Sequence, residues 1–303
     1  MSRRFRALPV TIPVGVIAVV AAGALTLSAC ASNKEATGPT GSVTGTVATN
    51  AAAASLVPAK IRTAGKLVVG VNVPYSPNEY VQSGKVVGFD VDLLDAVAKS
   101  LNLTTDYRQA DFDKIIPAIQ AGTYDIGMSS FTDSKKREQT VDFVDYFSAG
   151  ILWASAAGKT VDPANACGLT ISVQANTTEQ QDELPAVNKA CTAAGKKPIK
   201  ILSYNSQDDA TNAVVLGKAN AISADSPVTA YAIKQSNGKL QTAGQIREAA
   251  PYGWPMAKGS GLVQAVQKAF QSLIDDKTYD QICKKWGVDS GEISAPAVNG
   301  ATS

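Results

Sequence analysis

The sequence predicts an α/β fold with largely parallel sheets. Short β-branched runs alternate with stretches of helical periodicity, which is the pattern of parallel strands joined by crossover helices. The chain has 303 residues, of which 45% are hydrophobic and 18% are charged. It is therefore long enough for one large globular domain or two medium ones. We find no internal sequence repeat.

Strands and helices are predicted in the following order. The first strand is Lys66–Val71, a β-branched run between polar segments. An amphipathic helix starts at Asp90, because apolar residues then recur every three or four positions. A second helix runs over Phe112–Ala121 and ends at Gly122. Further strands are predicted at Tyr124–Met128, Ile171–Gln174, Ile199–Tyr204 and Ala221–Ala224, and further helices at Asp208–Leu216, Pro227–Gln235, Leu262–Ile274 and Tyr279–Trp286.

Charge and residue usage exclude several classes of function. The formal net charge is only +2, so the sequence gives no indication of a nucleic-acid partner. The chain has no histidine, which excludes Ser/His and Cys/His nucleophile systems and removes the commonest transition-metal ligand. The spacing of its cysteines does not suggest zinc. We therefore expect neither a metal nor a cofactor.

Residues 1–29 are predicted to form an export signal. Three arginines among the first six residues precede an uncharged stretch that ends at Ala29. The segment Leu27–Cys30 resembles a bacterial lipobox, so we expect Cys30 to be acylated and to anchor the protein outside the cytoplasm, on the cell membrane. An uncleaved transmembrane helix and simple secretion are the alternatives. The polar segment from residue 30 to residue 55 is predicted to be a flexible tether.

Motifs in the folded part resemble those of one protein family. Gly88–Leu94, with the sequence GFDVDLL, is similar to a signature of the family 3 extracellular solute-binding proteins, the polar amino acid receptors of ABC importers. Six further segments follow the order and spacing of this family: Leu67–Ser76, Asp111–Pro117, Tyr124–Arg137, Val141–Phe143, Thr278–Asp280 and Lys285–Gly287. The resemblance extends from about Leu56 to Val288.

The resemblance implies a two-lobed, type II periplasmic-binding-protein fold with two hinge crossings. Lobe 1 would comprise residues 56–152 and 254–290, and lobe 2 residues 153–253. The crossings are expected near Gly150–Trp153 and Pro251–Trp254, and residues 291–303 are expected to be a flexible tail. Ligand contacts made by both lobes would drive closure.

The resemblance also implies a site for a polar amino acid. The eight residues that match its ligand-binding positions are Asn72, Tyr75, Phe112, Ser130, Thr132, Arg137, Thr177 and Asp225. Arg137 would bind the ligand carboxylate with its planar guanidinium, and Thr177 would meet the same carboxylate at a helix start. Asp225 would pair with the ligand ammonium. The alternatives are a solvated arginine in a basic run for Arg137 and helix capping for Thr177 and Asp225.

The other matched positions concern the main chain and side chain of the ligand. Ser130 and Thr132 would bind its main-chain groups, with turn and capping roles as the alternative. Tyr75 and Phe112 would sandwich its side chain, with core packing as the alternative. Asn72 stands where receptors for basic amino acids carry aspartate, which makes an amide or hydroxyl side chain as plausible as a basic one. Asn78 replaces the family's aromatic residue after Pro77, so the far wall of the pocket departs from the family pattern.

Three cysteines remain when Cys30 is assigned to the lipid. Cys167 and Cys191 both fall in predicted lobe 2, on either side of a strand and the helix after it, and we predict that they form a disulfide. Cys283 would be a buried, unreactive thiol on the last helix.

Three functions agree with these observations. The first is a monomeric transport receptor that delivers a polar amino acid to the permease subunits of an ABC importer. The second is a cyclohexadienyl dehydratase, because a few proteins of this fold are such enzymes; it would need a proton donor over the leaving hydroxyl, and the predicted pocket offers only Asp225. The third is a sensor that presents its ligand to a receptor kinase. We predict the first, a binding protein rather than an enzyme.

Overall fold

Residues 47–302, the part that the computed structural model describes, form ten strands and ten α-helices. The strands are β1 Lys66–Val71, β2 Tyr80–Gln82, β3 Lys85–Val87, β4 Thr104–Gln109, β5 Ile126–Gly127, β6 Val141–Ala156, β7 Thr170–Gln174, β8 Lys200–Tyr204, β9 Ala221–Asp225 and β10 Leu240–Ala257. The helices are α1 Ala51–Ala54, α2 Ala59–Ala64, α3 Phe89–Ser100, α4 Phe112–Gln120, α5 Lys135–Glu138, α6 Leu184–Ala193, α7 Gln207–Val215, α8 Ser226–Gln235, α9 Leu262–Asp275 and α10 Thr278–Trp286.

The predicted export signal, Cys30 and most of the predicted tether lie outside the described residues. Within residues 47–302, no helix combines the length and the apolar character needed to cross a membrane.

The predicted α/β fold is confirmed. Eight strands form one sheet in the order β4-β1-β5-β10-β6-β9-β7-β8. Strand β1 runs parallel to β4 and β5, and β7 runs parallel to β8 and β9. Between these two parallel groups lie β6 and β10, which pair antiparallel. The sheet therefore consists of two parallel halves joined by one antiparallel pair.

The two central strands connect two hydrophobic cores. Strand β6 has 16 residues and β10 has 18. Ala149 and Tyr252 pack in the core that contains α3, α9 and α10, whereas Ile151 and Ala243 pack in the core around β7 and α6. Each strand thus runs from one core into the other. We call the part of the structure around the core of α3, α9 and α10 lobe 1, and the part around the core of β7 and α6 lobe 2.

Gly150 allows a close approach of the strands where the cores change. A Cβ atom at this position would lie 2.6 Å from the carbonyl oxygen of Arg247 on β10. No side chain fits at that distance, so glycine is required for the observed contact. The pairing of β6 with β10 also shifts register on both sides of Arg247, which indicates bulges in this part of β10.

The C-terminal segment, residues 291–302, bonds to the sheet and is not the flexible tail that the sequence predicts. The amide of Asp145 donates to the carbonyl oxygen of Ala297 (2.9 Å), and Asn299 Oδ1 accepts from the amide of Phe143 (2.8 Å). Further along, the amide of Ala301 donates to Asp133 Oδ2 (3.2 Å). The segment pairs with the edge of β6 in lobe 1, where it satisfies backbone groups that a strand edge would otherwise expose.

The end of the predicted tether is also part of the fold. The side chain of Asn50 caps α1, and its amide donates to the carbonyl oxygen of Ser100 at 2.8 Å. Ala53 is fully buried in the lobe 1 core. A composition rich in Ala, Thr, Ser and Gly predicts a tether that buries no core, but the small apolar side chains of residues 51–54 pack against helix α9.

The predicted disulfide is present. Cys167 and Cys191 are bonded in lobe 2, and Cys283 is a buried free thiol. The bond closes a loop that includes β7 and most of α6. In the chain-entropy model, a loop of this length stabilises the fold by roughly 3 kcal/mol through the unfolded state.

The C-terminal segment provides the first testable prediction. Asn299→Ala removes the hydrogen bonds of the side chain to the amide of Phe143 and to Asp142 Oδ1. We expect a lower free energy of unfolding, by about 1–3 kcal/mol, measured by urea denaturation. Asn237→Ala is the matched control, because Asn237 also has a positive φ (51°) but is exposed and makes neither bond. Equal losses in both variants would contradict a specific role for the segment.

Candidate ligand-binding cleft

The eight predicted site residues all line a single cavity between the lobes. The space between these residues amounts to about 290 Å³, part of which is open to solvent. Its predicted lining residues are Asn72, Tyr75, Phe112, Ser130, Thr132, Arg137, Thr177 and Asp225, and four further residues complete it: Ser129, Gln174, Thr178 and Glu179. Both parallel halves of the sheet therefore contribute side chains to the same cavity.

Hydrogen bonds cross this cavity from lobe 1 to lobe 2. The hydroxyl of Tyr75 donates to Asp225 Oδ2 at 2.5 Å, and Gln174 Nε2 donates to Asn72 Oδ1 at 2.8 Å. Arg137 adds a longer bond of 3.4 Å to the carbonyl oxygen of Asn176. The two lobes are thus in direct contact around the cavity.

The guanidinium of Arg137 is held by two aromatic rings and a carbonyl group. The side chain of Ser134 caps the short helix α5 by accepting a hydrogen bond from the amide of Arg137. This bond fixes the start of the helix that carries Arg137. The Arg137 Cζ atom lies 5.5 Å from the ring centroids of Phe112 and Phe131, which stack on each other at 4.4 Å. Its NH1 group donates to the carbonyl oxygen of Thr132 at 2.8 Å. Arg137 is therefore not the solvated arginine of a basic run.

The charges around the cavity perturb one another. Burial lowers the pKa of Arg137, while the negative charges of Glu179 and Asp225 act in the opposite direction. Asp225 is the last residue of β9, and burial raises the pKa of this carboxyl group, against the hydrogen bond from Tyr75 and the charge of Arg137. Asp225 occupies the N-cap position of α8, but its side chain makes no capping hydrogen bond. Helix capping therefore does not explain the presence of an aspartate at position 225.

Ser130 lines the cavity, but its amide and hydroxyl groups are bonded to buried residues that do not line it. It has a positive φ of 50°, its amide donates to Asp90 Oδ2 (3.1 Å), and its hydroxyl accepts from Asn78 Nδ2 (2.8 Å). The hydroxyl also contacts the buried carboxyl groups of Glu79 and Asp90. These bonds involve the amide and the hydroxyl of Ser130 but not its carbonyl oxygen. Asn78, which the sequence placed at the far wall, lies behind Ser130 and does not line the cavity.

The buried acids Asp90 and Glu79, which bond to Ser130, fix the loop that precedes helix α5 and thereby position Arg137. Burial raises the pKa of both carboxyl groups, to about 6 for Asp90 and well above its usual value for Glu79, which Asp90 raises further. The hydroxyl of Tyr146 also donates to Asp90, at 2.6 Å. These bonds connect the loop to the core of lobe 1.

Two threonines and an asparagine complete the predicted set. Thr177 Oγ1 donates to the carbonyl oxygen of Gln174 (3.0 Å) and accepts from the amide of Gln180 (3.3 Å), so it caps the turn while it lines the cavity. Thr132 Oγ1 lies 3.5 Å from Thr178 Oγ1 of the opposite lobe. The side-chain NH2 group of Asn72 donates a hydrogen bond to the carbonyl oxygen of Ala110 (2.9 Å).

Glu179 is the residue that the sequence analysis missed. It is 1% exposed, lines the cavity, and its Oε1 atom has no hydrogen-bond partner within the described part of the chain. Burial, together with repulsion by Asp225, raises its pKa to about 8. An acid in the first turn of a helix is expected from the helix dipole alone, so no local pattern indicated that Glu179 belongs to the site.

The profile described as "Bacterial extracellular solute-binding proteins, family 3" matches residues 67–289. The chain belongs to this family. The match spans both halves of the sheet and every residue that lines the cavity. The architecture of the structure agrees with this membership.

Relatives and solved structures of this family resemble the chain over most of its length. The arginine-binding protein ArgT of Corynebacterium glutamicum is 37% identical over 299 residues, which are 98% of each chain. An ancestral arginine-binding protein bound to arginine has a TM-score of 0.67 and 31% identity, and the match covers 73% of this chain and 98% of that one. The ancestral amino acid-binding protein AncCDT-1, a precursor of cyclohexadienyl dehydratase, has a TM-score of 0.67 and 30% identity over 75% of this chain and 97% of that one.

The bond from Tyr75 to Asp225 gives the second prediction. Tyr75→Phe keeps the aromatic ring but removes a hydrogen bond to a carboxylate that joins the lobes, worth about 1–3 kcal/mol. We expect the solute-binding protein to open, and its radius of gyration from small-angle X-ray scattering to increase before ligand is added.

Tyr107→Phe is the matched control for this measurement. It removes a similar bond to Asp95 (2.7 Å) within lobe 1, so it should lower stability without opening the lobes. If the two variants scatter alike, the bond across the cavity does not hold the lobes together.

Proposed function

We propose that this family 3 solute-binding protein captures an amino acid between its lobes and delivers it to the permease subunits of an ABC importer. The observation that carries the proposal is the position of Arg137 in lobe 1 and Asp225 in lobe 2, which line one cavity and bear opposite charges. An α-amino acid has one carboxylate and one ammonium group, and this pair of side chains can bind both. Since each lobe holds one of them, the ligand would draw the lobes together.

The geometry of each side chain is compatible with the role that the family resemblance implies for it. The guanidinium of Arg137 can donate two parallel hydrogen bonds to the carboxylate. The backbone amides that follow Thr177 can support the same anion, and Asp225 and the carbonyl oxygen of Ser130 can accept from the ammonium. Tyr75 and Phe112 would flank the side chain.

We propose arginine as the first ligand to test. The cavity is lined by two acidic side chains, Glu179 and Asp225, against the single guanidinium of Arg137. A ligand that carries two positive charges and one negative charge would balance this set. The similarity to ArgT and to the ancestral arginine-binding protein supports the same choice, although Asn72 supplies an amide rather than a carboxylate to the side-chain wall.

The cellular setting is part of the proposal. We propose cleavage after residue 29, acylation of Cys30 and a monomer tethered to the outer face of the cell membrane. Lobe 1 would comprise residues 56–152 and 254–290, and lobe 2 residues 153–253, with hinges on β6 and β10. The change of core after Ala149 and before Tyr252 supports hinge positions close to these boundaries.

Dehydration of a cyclohexadienyl acid is the second candidate function. The sequence offered only Asp225 as a proton donor, but a Glu179 carboxyl group with a pKa of about 8 keeps its proton at neutral pH and could act as a general acid. AncCDT-1 is itself an amino acid-binding protein, but its place as a precursor of cyclohexadienyl dehydratase is the reason to test this candidate. An absorbance assay with prephenate tests it, and loss of prephenate in the presence of the protein but not of Glu179→Gln would favour the enzyme.

Binding of the carboxylate provides the third prediction. Arg137→Ala should weaken binding of L-arginine at least tenfold, or about 1.4 kcal/mol, because the carboxylate loses its charged partner. Asp225→Asn should weaken it to a similar extent through the ammonium. Isothermal titration calorimetry on the fragment that starts at residue 47 measures both affinities.

Lys135→Ala is the control for this experiment. It removes one positive charge from the same helix as Arg137, but Lys135 is exposed and pairs with Glu138. It should bind L-arginine as the parent protein does. Unchanged affinity of both site variants would remove the assigned cavity as the binding site.

A further inference from the structure

We infer that Glu179 is a specificity-determining residue of the cleft, a neutral carboxyl group that gives up its proton when a ligand brings a second positive charge. The inference rests on the proposed function, because it concerns the cavity that would hold the amino acid. It adds a change of protonation on binding to a side chain that the arginine proposal counts only as an acidic group of the cavity.

The position of Glu179 supports this role. Its side chain lies in the cavity wall next to Thr177 and Thr178, and 1% of the residue is exposed. Oε1 accepts no hydrogen bond from any described residue, while Oε2 accepts a long one of 3.4 Å from the hydroxyl of Thr178. A buried carboxyl oxygen without a donor is costly if the group is ionised, which favours the protonated form.

The charged groups around Glu179 also favour its protonated form. Asp225, at the end of β9, repels its negative charge, and Glu183 in the same helical segment is a second acidic neighbour. Arg137 on α5 is the cation that interacts with Glu179, but it interacts with Asp225 as well. The hydroxyl groups of Tyr75 and Tyr252 lie near Asp225, and burial keeps the pKa of both far above neutral pH. One guanidinium therefore faces two carboxyl groups, and the charge balances if Glu179 is neutral.

A ligand changes this balance according to its charge. The carboxylate and ammonium of any amino acid would neutralise Arg137 and Asp225, and Glu179 could then remain protonated. A cationic side chain adds one more positive charge to the cavity that Glu179 lines. That charge stabilises the carboxylate and lowers its pKa, and one proton leaves to solvent.

Linkage fixes the sign of the pH effect. Because a proton is released on binding, the affinity for a cationic amino acid rises as the pH rises toward the pKa of Glu179, about 8. From about pH 6 to about pH 8 the increase should be tenfold or more. A neutral amino acid should show no such dependence, since Glu179 keeps its proton.

The test uses L-arginine and L-citrulline, which differ in the charge at the end of the same side chain. Calorimetric titrations in buffers of different ionisation enthalpy give the number of protons released at pH 7. We expect close to one proton for L-arginine, none for L-citrulline, and none for either ligand with Glu179→Gln. The variant should also bind L-arginine about tenfold more weakly at pH 8 and lose most of the pH dependence.

Asp182→Asn is the matched control. It removes an acidic side chain from the same turn, but Asp182 is exposed and does not line the cavity, so proton release should be unchanged. Release of no proton by the parent protein with L-arginine, or equal release by Glu179→Gln, would overturn the inference. Binding of L-citrulline but not L-arginine would overturn it too while leaving amino acid capture intact, whereas binding of no amino acid would refute the proposed function itself.

Discussion

The antiparallel pairing of β6 with β10 is the constraint on which the cleft depends. Arg137 lies just before β6, and Asp225 is the register partner of Ile151 on that strand. One strand therefore sets the separation of the two oppositely charged side chains in the cavity wall. Because β6 and β10 continue from one core into the other, bending of these two strands changes that separation without breaking either core.

The electrostatics of the cavity supports the proposal of a charged ligand. Two carboxyl groups and one guanidinium are largely removed from water, and burial of charge is costly unless a partner compensates it. The aromatic rings of Phe112 and Phe131 and the carbonyl oxygen of Thr132 compensate part of the cost for Arg137. The carboxyl groups have fewer partners, so the binding energy available to a cationic group is concentrated on their side of the cavity.

Local patterns in the sequence predicted most of the strands and helices, and the family resemblance predicted much of the cavity wall. The helix predicted from Asp90 and the strands β7 to β9 follow from periodicity and from order along the chain, whereas the pairing of Cys167 with Cys191 depended on the lobe 2 that the resemblance implies. The eight assigned residues meet because their motifs end strands or start helices, and such ends converge at the edge of a parallel sheet.

Other features depend on partners that are distant in sequence. The lengths of β6 and β10 arise from their pairing with each other, which no short pattern encodes. The C-terminal segment is short and polar, and it is ordered against β6 because Asn299 and Ala301 bond to residues more than 150 positions earlier. Glu179 resembled an ordinary acid at a helix start, and only its enclosure beside Asp225 reveals a different environment.

The buried position of Cys283 has a practical consequence. The other two cysteines of the described chain are joined to each other, and burial raises the pKa of the Cys283 thiol, which suppresses the reactive thiolate. A cysteine introduced at the rim of the cleft in the fragment that starts at residue 47 would thus be the one readily alkylated sulfur. An environment-sensitive fluorophore attached there would turn hinge bending into an optical signal and make the protein a reagentless amino acid sensor.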